Sequence, residues 1–146
     1  MPSNTLIVRK IIFSDLVVAR DLLSQLGYDV EMDALSDRFE RISKSNIQLL
    51  NVATLHDQVI GLVHAFIREA LEKPVEVVVQ AVVVDERVRK TGAGRRLMLA
   101  VEAWAKEKQV SSISLSSQIA RTEAHKFYEE LGFVKTATSH FMRKML

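Results

Sequence analysis

The feature that most constrains this sequence is the passage from Val75 to Gln109, where a strand pattern, a basic loop and a helix pattern follow one another directly. From Val75 to Val84 the odd positions Val75, Val77, Val79, Ala81 and Val83 are all apolar, while Glu76 and Gln80 fall on the even side, as in a strand with one core face. Leu97, Ala100, Val101, Trp104 and Ala105 draw a helical stripe from Gly94 to Gln109, with Arg95, Arg96, Glu102 and Lys106 outside it. Between the two lies Asp85-Glu86-Arg87-Val88-Arg89-Lys90-Thr91-Gly92-Ala93-Gly94. Such a junction binds anions. The first N–H groups of the helix have no intrahelical acceptor, the helix dipole is positive there, and glycine lets phosphate oxygens approach the backbone. Arg89, Lys90 and Arg95 add mobile positive charge. The alternative is that Gly92 and Gly94 only shape a turn and the basic side chains are a solvated face.

The rest of the chain supplies further elements. Leu6 to Phe13 suits a first strand, and Ser14-Asp15 offers an N-cap to a helix with Ala19, Leu22, Leu23 and Leu26 on one face, ended by Gly27. Met32, Leu35, Phe39 and Ile42 predict a second helix. Ile47 to Leu55 and Val59 to Ile67 are β-rich runs joined by His56-Asp57-Gln58, a hairpin turn. Ser111 to Leu115 reads as a short strand. Thr122 can cap a helix carrying Ala124, Phe127, Tyr128 and Leu131, which Gly132 closes so that Phe133 folds back on it, and Phe141 to Leu146 suits a last strand. No repeat, low-complexity tract or linker interrupts this order, so residues 1–146 are expected to form one mixed α/β domain.

Composition excludes several classes of function. With 20 Lys+Arg against 18 Asp+Glu the net charge is only +2, and two Tyr and one Trp offer few stacking platforms, so a nucleic-acid partner using Arg87, Arg89, Lys90, Arg95 and Arg96 is not expected. The absence of cysteine removes disulfides, thiolate nucleophiles and Cys-ligated zinc. His56, His64, His125 and His140 lack metal-ligand spacing, so no metal is expected. No signal-peptide pattern follows Met1 and no apolar run reaches a membrane-spanning length, so a cytoplasmic chain without a membrane partner is expected.

The P-loop pattern is absent, and the dinucleotide fingerprint needs a third glycine where this chain has Leu97. What Arg89-Lys90-Thr91-Gly92-Ala93-Gly94 resembles is the acetyl-CoA-binding signature of the GNAT N-acetyltransferase superfamily, Arg/Gln-x-x-Gly-x-Gly/Ala at the end of a central strand. Downstream, Ala124-His125-Lys126-Phe127-Tyr128-Glu129-Glu130-Leu131-Gly132-Phe133 is similar to that superfamily's Ala-x-x-Phe-Tyr-x-x-x-Gly-Phe helix. The element order agrees from Leu6 onward. The resemblance implies an α/β (α+β) single-domain fold with a mixed, mostly antiparallel sheet flanked by helices, in the order β-α-α-β-β-β-α-β-α-β(-β). It also implies a splay between the strand at Val84 and the strand at Leu115.

By the same resemblance, Arg89, Lys90, Thr91, Gly92, Ala93 and Gly94 wrap the pyrophosphate of acetyl-CoA, with Arg95 nearby. The backbone of Val82, Val83 and Val84 pairs with the pantetheine arm, and a strand amide near Val82 polarises the thioester carbonyl. Tyr128 is implied as the general acid that protonates the departing thiolate, against the alternative that Phe127 and Tyr128 are both core aromatics. The chain departs from the family at the base. Positions that often carry a carboxylate are here Val78 or Ala81 and Ser116, which leaves Gln80, Glu76 and His64 as possible bases or water-holders, with His64 also readable as a satisfied strand histidine. Arg121 stands where many relatives have an asparagine that bonds the pantetheine, and is expected to reach the coenzyme phosphates or ribose.

The implied activity is acetyl transfer from acetyl-CoA, a cosubstrate, to a primary amine of a small molecule or peptide. It proceeds by direct attack in a ternary complex, since no cysteine is present for an acyl-enzyme. The other reading is an acyl-CoA-binding module without turnover. A homodimer through the C-terminal strands is the oligomer the resemblance suggests.

Overall fold

The computed structural model describes residues 5–117 and 122–146, and the chain divides into two compact units, Met1–Ser116 and Ser117–Leu146. The first unit contains β1 (Ile7–Lys10), α1 (Leu16–Leu26), α2 (Met32–Ser43), β2 (Gln48–Leu55), β3 (Gln58–Arg68), β4 (Glu76–Val84), α3 (Ala93–Glu107) and β5 (Ile113–Leu115). The strands form one sheet in the order β1-β2-β3-β4-β5, antiparallel except for the parallel β4/β5 pair. Among the described residues no helix is long and apolar enough to cross a membrane.

Both faces of the sheet are covered. Leu62 and Val83 join Ile11, Leu16, Ala19, Leu22 and Val52 in one buried cluster, with Leu35 and Phe39 of α2 packed against it. Gly61, the neighbour of Leu62, faces the other way, because successive strand residues alternate. A Cβ there would stand 3.0 Å from Leu97 Cδ1 of α3 and 3.2 Å from the Val83 carbonyl oxygen. Glycine therefore sets how closely α3 lies on the sheet. Leu97, Val101 and Ala105 of the expected stripe are buried, Ala100 and Trp104 are half-buried, and Met98, outside the expected stripe, is buried with them.

Several local expectations are corrected. The first strand is shorter than Leu6 to Phe13, because Phe13–Asp15 form a 3-10 turn. Asp15 does not cap α1 with its side chain. Its carboxylate accepts from the Ile12 N–H at 2.8 Å and takes a two-pronged hydrogen bond from Arg9, at 2.7 and 2.9 Å, which locks β1 to the turn that starts α1. The β2–β3 turn uses only His56 and Asp57, both at positive φ (51° and 61°), while Gln58 already pairs with Leu55. The Gly27 stop is formed as its sequence suggests, with φ 111° and the Tyr28 N–H donating to the Leu23 carbonyl at 2.9 Å.

The largest correction concerns β4. His64 pairs with Ala81 but Ala65 pairs with Val79, so Gln80 is an extra residue, a β-bulge. The odd positions therefore do not share one face. Val77 and Val79 lie on one side of the sheet, and Ala81 and Val83 lie on the other, where Val83 joins the α1 cluster.

The second unit contains α4 (Thr122–Glu130), followed by a stop at Gly132 (φ 95°). The Phe133 N–H donates to the Tyr128 carbonyl at 3.0 Å and the two rings meet edge-on at 5.9 Å, so Phe133 folds back as expected. The strand expected over Phe141 to Leu146 is not formed. Residues 134–146 are exposed throughout and make no strand pairing among the described residues, and a pleated segment needs a hydrogen-bonded neighbour to persist.

Two substitutions test this packing. Gly61→Ala is expected to cost about 1–3 kcal/mol by overpacking against Leu97, read as an earlier denaturant midpoint at unchanged slope. An unchanged midpoint would contradict the close approach of α3. The Asp15 carboxyl is held below its ordinary value of 3.8, first by the Arg9 hydrogen bonds, against burial and with help from the Ile12 N–H. A depressed carboxyl contributes stability that is present above the unfolded-state pKa and lost as pH falls through the folded-state value. Asp15→Asn should therefore cost about 1–3 kcal/mol at neutral pH, and urea titrations should show that difference shrinking from about pH 5 toward pH 2. A difference that does not change with pH would show that the charge of Asp15 contributes nothing.

Candidate active site

The bulge and the short β5 together open one edge of β4. β5 pairs only with Val77, Val78 and Val79, so above Val79 that edge has no strand partner among the described residues of the first unit. The direction of the backbone groups follows from the Asp85 N–H, which donates to the Ile60 carbonyl of β3 at 2.7 Å. Antiparallel strands alternate hydrogen-bonded and non-bonded pairs, so Val83 is bonded to β3 while Val82 and Val84 turn their N–H and C=O groups to the open edge. Two of the three residues singled out from the sequence thus offer a ladder, and Val83 does not.

From this edge the chain enters the phosphate-loop candidate. Asp85 is buried and caps the 3-10 turn Glu86–Val88, its carboxylate accepting from the Arg87 N–H at 3.0 Å. The Arg87 guanidinium donates to both carboxylate oxygens of Asp85, at 2.9 and 3.0 Å, and to Asp21 of α1 at 3.0 Å. These side-chain bonds, then the Arg87 N–H, outweigh burial and hold the Asp85 carboxyl down to about 2, with Gln25 adding to the effect. Arg87 is therefore already neutralised. Arg89, Lys90, Arg95 and Arg96 are exposed and form no ion pair among the described residues.

The loop closes through two left-handed residues, Lys90 (φ 66°) and Gly92 (φ 84°). A Cβ on Gly92 would meet nothing within 4 Å, so glycine is needed there for its backbone conformation alone. α3 begins at Ala93, whose N–H donates to the Thr91 hydroxyl at 3.3 Å, and the Arg96 N–H is the first to reach back, to the Gly92 carbonyl at 3.0 Å. The N–H groups of Gly94 and Arg95 are left without intrahelical acceptors at the positive end of the dipole. Free donors, Arg89, Lys90 and Arg95 around one helix end fit a pyrophosphate.

The candidate bases differ in environment. His64 Nε2 lies 2.6 Å from Gln48 Oε1; an amide oxygen only accepts, so Nε2 carries the hydrogen and the Nδ1 lone pair is available. Burial lowers the His64 pKa below 6.5, which keeps the ring neutral at pH 7. Glu76 accepts from the Ser112 hydroxyl at 2.9 Å and faces Arg68 at 3.5 Å. Burial pushes its pKa up, but Ser114, Ser112, Arg68 and Lys73 outweigh this and lower it, which makes Glu76 a weak base. Gln80 is the exposed bulge residue.

In the second unit Tyr128 is half-buried, with its ring edge-on to Phe127 at 5.3 Å and to Phe133 at 5.9 Å. His125 is half-buried as well. Arg121 lies outside the described residues. Sequence reasoning missed Asp21 and Gln25. Asp85 before a turn carries a readable capping signal, but no local signal links α1 to residues sixty positions later.

Comparison with known proteins matches residues 17–133 to the Acetyltransferase (GNAT) family. The chain is 25% identical over 124 residues to the uncharacterized N-acetyltransferase YhdJ of Bacillus subtilis (strain 168), covering 84% of this chain and 86% of that protein. It is 34% identical over 61 residues to the aminoglycoside N(6')-acetyltransferase type 1 of Serratia marcescens, 42% of each chain. Among solved structures it shares the fold of AAC(6')-Iy in complex with the bisubstrate analog CoA-S-monomethyl-acetylneamine, with a TM-score of 0.87 at 23% identity over 97% of this chain and 99% of that one. The family match takes in the open edge of β4, the glycine-bearing loop and α4 together, and the chain accordingly belongs to the acetyltransferase (GNAT) family and is an acyltransferase.

Proposed function

We propose that residues 1–146 act as one N-acetyltransferase domain that moves the acetyl group of acetyl-CoA to a primary amine of a small molecule. The observation that carries this reading is the α3 start, where Gly94 and Arg95 N–H groups and unneutralised Arg89, Lys90 and Arg95 stand at the end of a strand with an open edge. The cation cluster and Thr91 to Gly94 hold the pyrophosphate, and the backbones of Val82 and Val84 hold the pantetheine as an added strand would. The outward Val82 N–H donates to the thioester carbonyl as negative charge develops there. The Serratia marcescens relative, named for acetylating aminoglycosides, supports a small-molecule acceptor.

The proton steps follow from environment. A protonated alkylamine cannot attack, so it first gives up a proton, and neutral His64 takes it at Nδ1, directly or through a water that Gln80 helps to hold. The amine lone pair then forms the new N–C bond while the C–S bond breaks, the Tyr128 hydroxyl donates its proton to the departing thiolate, and the acylated nitrogen gives up its second proton through solvent, which returns Tyr128 to its neutral form. The exposed apolar side chains of Phe141, Met142, Met145 and Leu146 support a homodimer in which two copies bury their C-terminal segments.

Purified protein given acetyl-CoA and a panel of small-molecule and peptide amines should release free thiol with the former. Tyr128→Phe and His64→Gln should each lower kcat about 100-fold with little change in the KM for acetyl-CoA. A base must be neutral to act, so activity should fall as pH drops through the His64 pKa. The acid limb of the parental profile should thus lie below pH 6.5 and be absent from His64→Gln. Parental rates in either variant would remove that residue's role, and coenzyme binding without thiol release would favour the non-catalytic module. Sedimentation should show a dimer that Phe141→Ser combined with Leu146→Ser dissociates; a monomeric parent would exclude it.

A further inference from the structure

We propose that Gln25 of α1 is a positioning residue for the coenzyme phosphates, acting through Asp85 and the backbone of Glu86 on the loop that carries Arg89 to Gly94. The inference rests on the coenzyme site proposed above and adds to it a residue outside the phosphate-binding stretch.

Every polar atom of the Gln25 amide is in use. Its Oε1 accepts from the Glu86 N–H at 2.9 Å, and its Nε2 donates to Asp21 at 3.1 Å and to Asp85 at 3.3 Å. Arg87 closes the ring by bridging Asp85 and Asp21. The loop start is thus tied to α1 through Gln25 and to β3 through the Asp85 N–H, while its end is set by Gly92 and the first turn of α3. Arg87 and Val88 belong to the anchored 3-10 turn, so only Arg89, Lys90 and Thr91 lie between that turn and Gly92.

This network is poorly suited to supplying global stability. The side chains of Arg87 and Asp21 are 69% and 53% exposed, and ion pairs at such positions contribute little. It is well suited to two other tasks. Arg87 neutralises two carboxylates that would otherwise repel a phosphate at the neighbouring helix end. Gln25 fixes the turn from which Arg89 and Lys90 project, so that less conformational freedom is lost when an anion binds.

The test compares probes with and without phosphates. Gln25→Met keeps side-chain length and packing but removes all three hydrogen bonds. Calorimetry with CoA should show an affinity about tenfold weaker, and the KM for acetyl-CoA should rise in step while kcat stays near the parental value. S-acetylpantetheine, which lacks the phosphates, should be turned over as by the parent. Asp21→Ala, at an exposed position that tolerates replacement, should shift CoA affinity in the same direction by about threefold. Parental CoA affinity in the methionine variant would overturn the inference while leaving the proposed function intact, and equal losses with both thioesters would overturn it as a general structural defect. A parent chain that binds no CoA would sink the proposed function and this inference together.

Discussion

Gln80, the extra residue opposite the step from His64 to Ala65, is the constraint on which the rest of the arrangement depends. A bulge adds one residue to one strand and so reverses the facing of everything beyond it. Below it, Val77 and Val79 are buried on one face of the sheet; above it, Val83 is buried on the other, among Leu16, Leu22 and Leu62. The change of face lies where β5 stops pairing, immediately after Val79. Val82 and Val84 are left with backbone groups turned to an open edge, in a strand whose side chains are nonetheless packed.

The same passage shows how charge acquires a role from its neighbours. Arg87 and Arg89 are two positions apart and chemically identical, yet Arg87 is occupied by Asp85 and Asp21 while Arg89 is exposed and has no carboxylate partner among the described residues. A guanidinium already bridging two carboxylates has little attraction left for a phosphate. The α3 start, with its unsatisfied N–H groups, then adds directional donors to the remaining cations. Environment likewise separates the candidate bases. Burial favours neutral His64, whereas hydrogen-bonded and charge-compensated Glu76 holds its negative charge too firmly to be a good proton acceptor.

The family membership of the chain was legible because both of its signatures are local. Gly92 is needed for a positive φ, Gly132 for another, and Phe127, Tyr128 and Phe133 cluster through a helix stop that any reader of the sequence can place. The helices were legible for the same reason, since the stripes Leu22, Leu23, Leu26 and Leu97, Val101, Ala105 recur at the helical period. The bulge was not legible. Valines flank Gln80 on nearly every side, and a run in which both faces end up buried carries no mark of where its alternation reverses. Nor was the absence of a last strand: Phe141 to Leu146 has strand composition, but composition does not supply a neighbouring strand.

Sequence by itself determined the helices, the glycine stops, the hairpin and the glycine-bearing junction before α3, because each depends on interactions within a few residues along the chain. Only the tertiary structure decided which basic side chain is occupied by carboxylates, which backbone groups of β4 face an open edge, and that Gln25 reaches the loop between β4 and α3. Those outcomes depend on pairings between distant segments, such as α1 with Glu86 or β3 with β4, whose register follows from how the whole core packs.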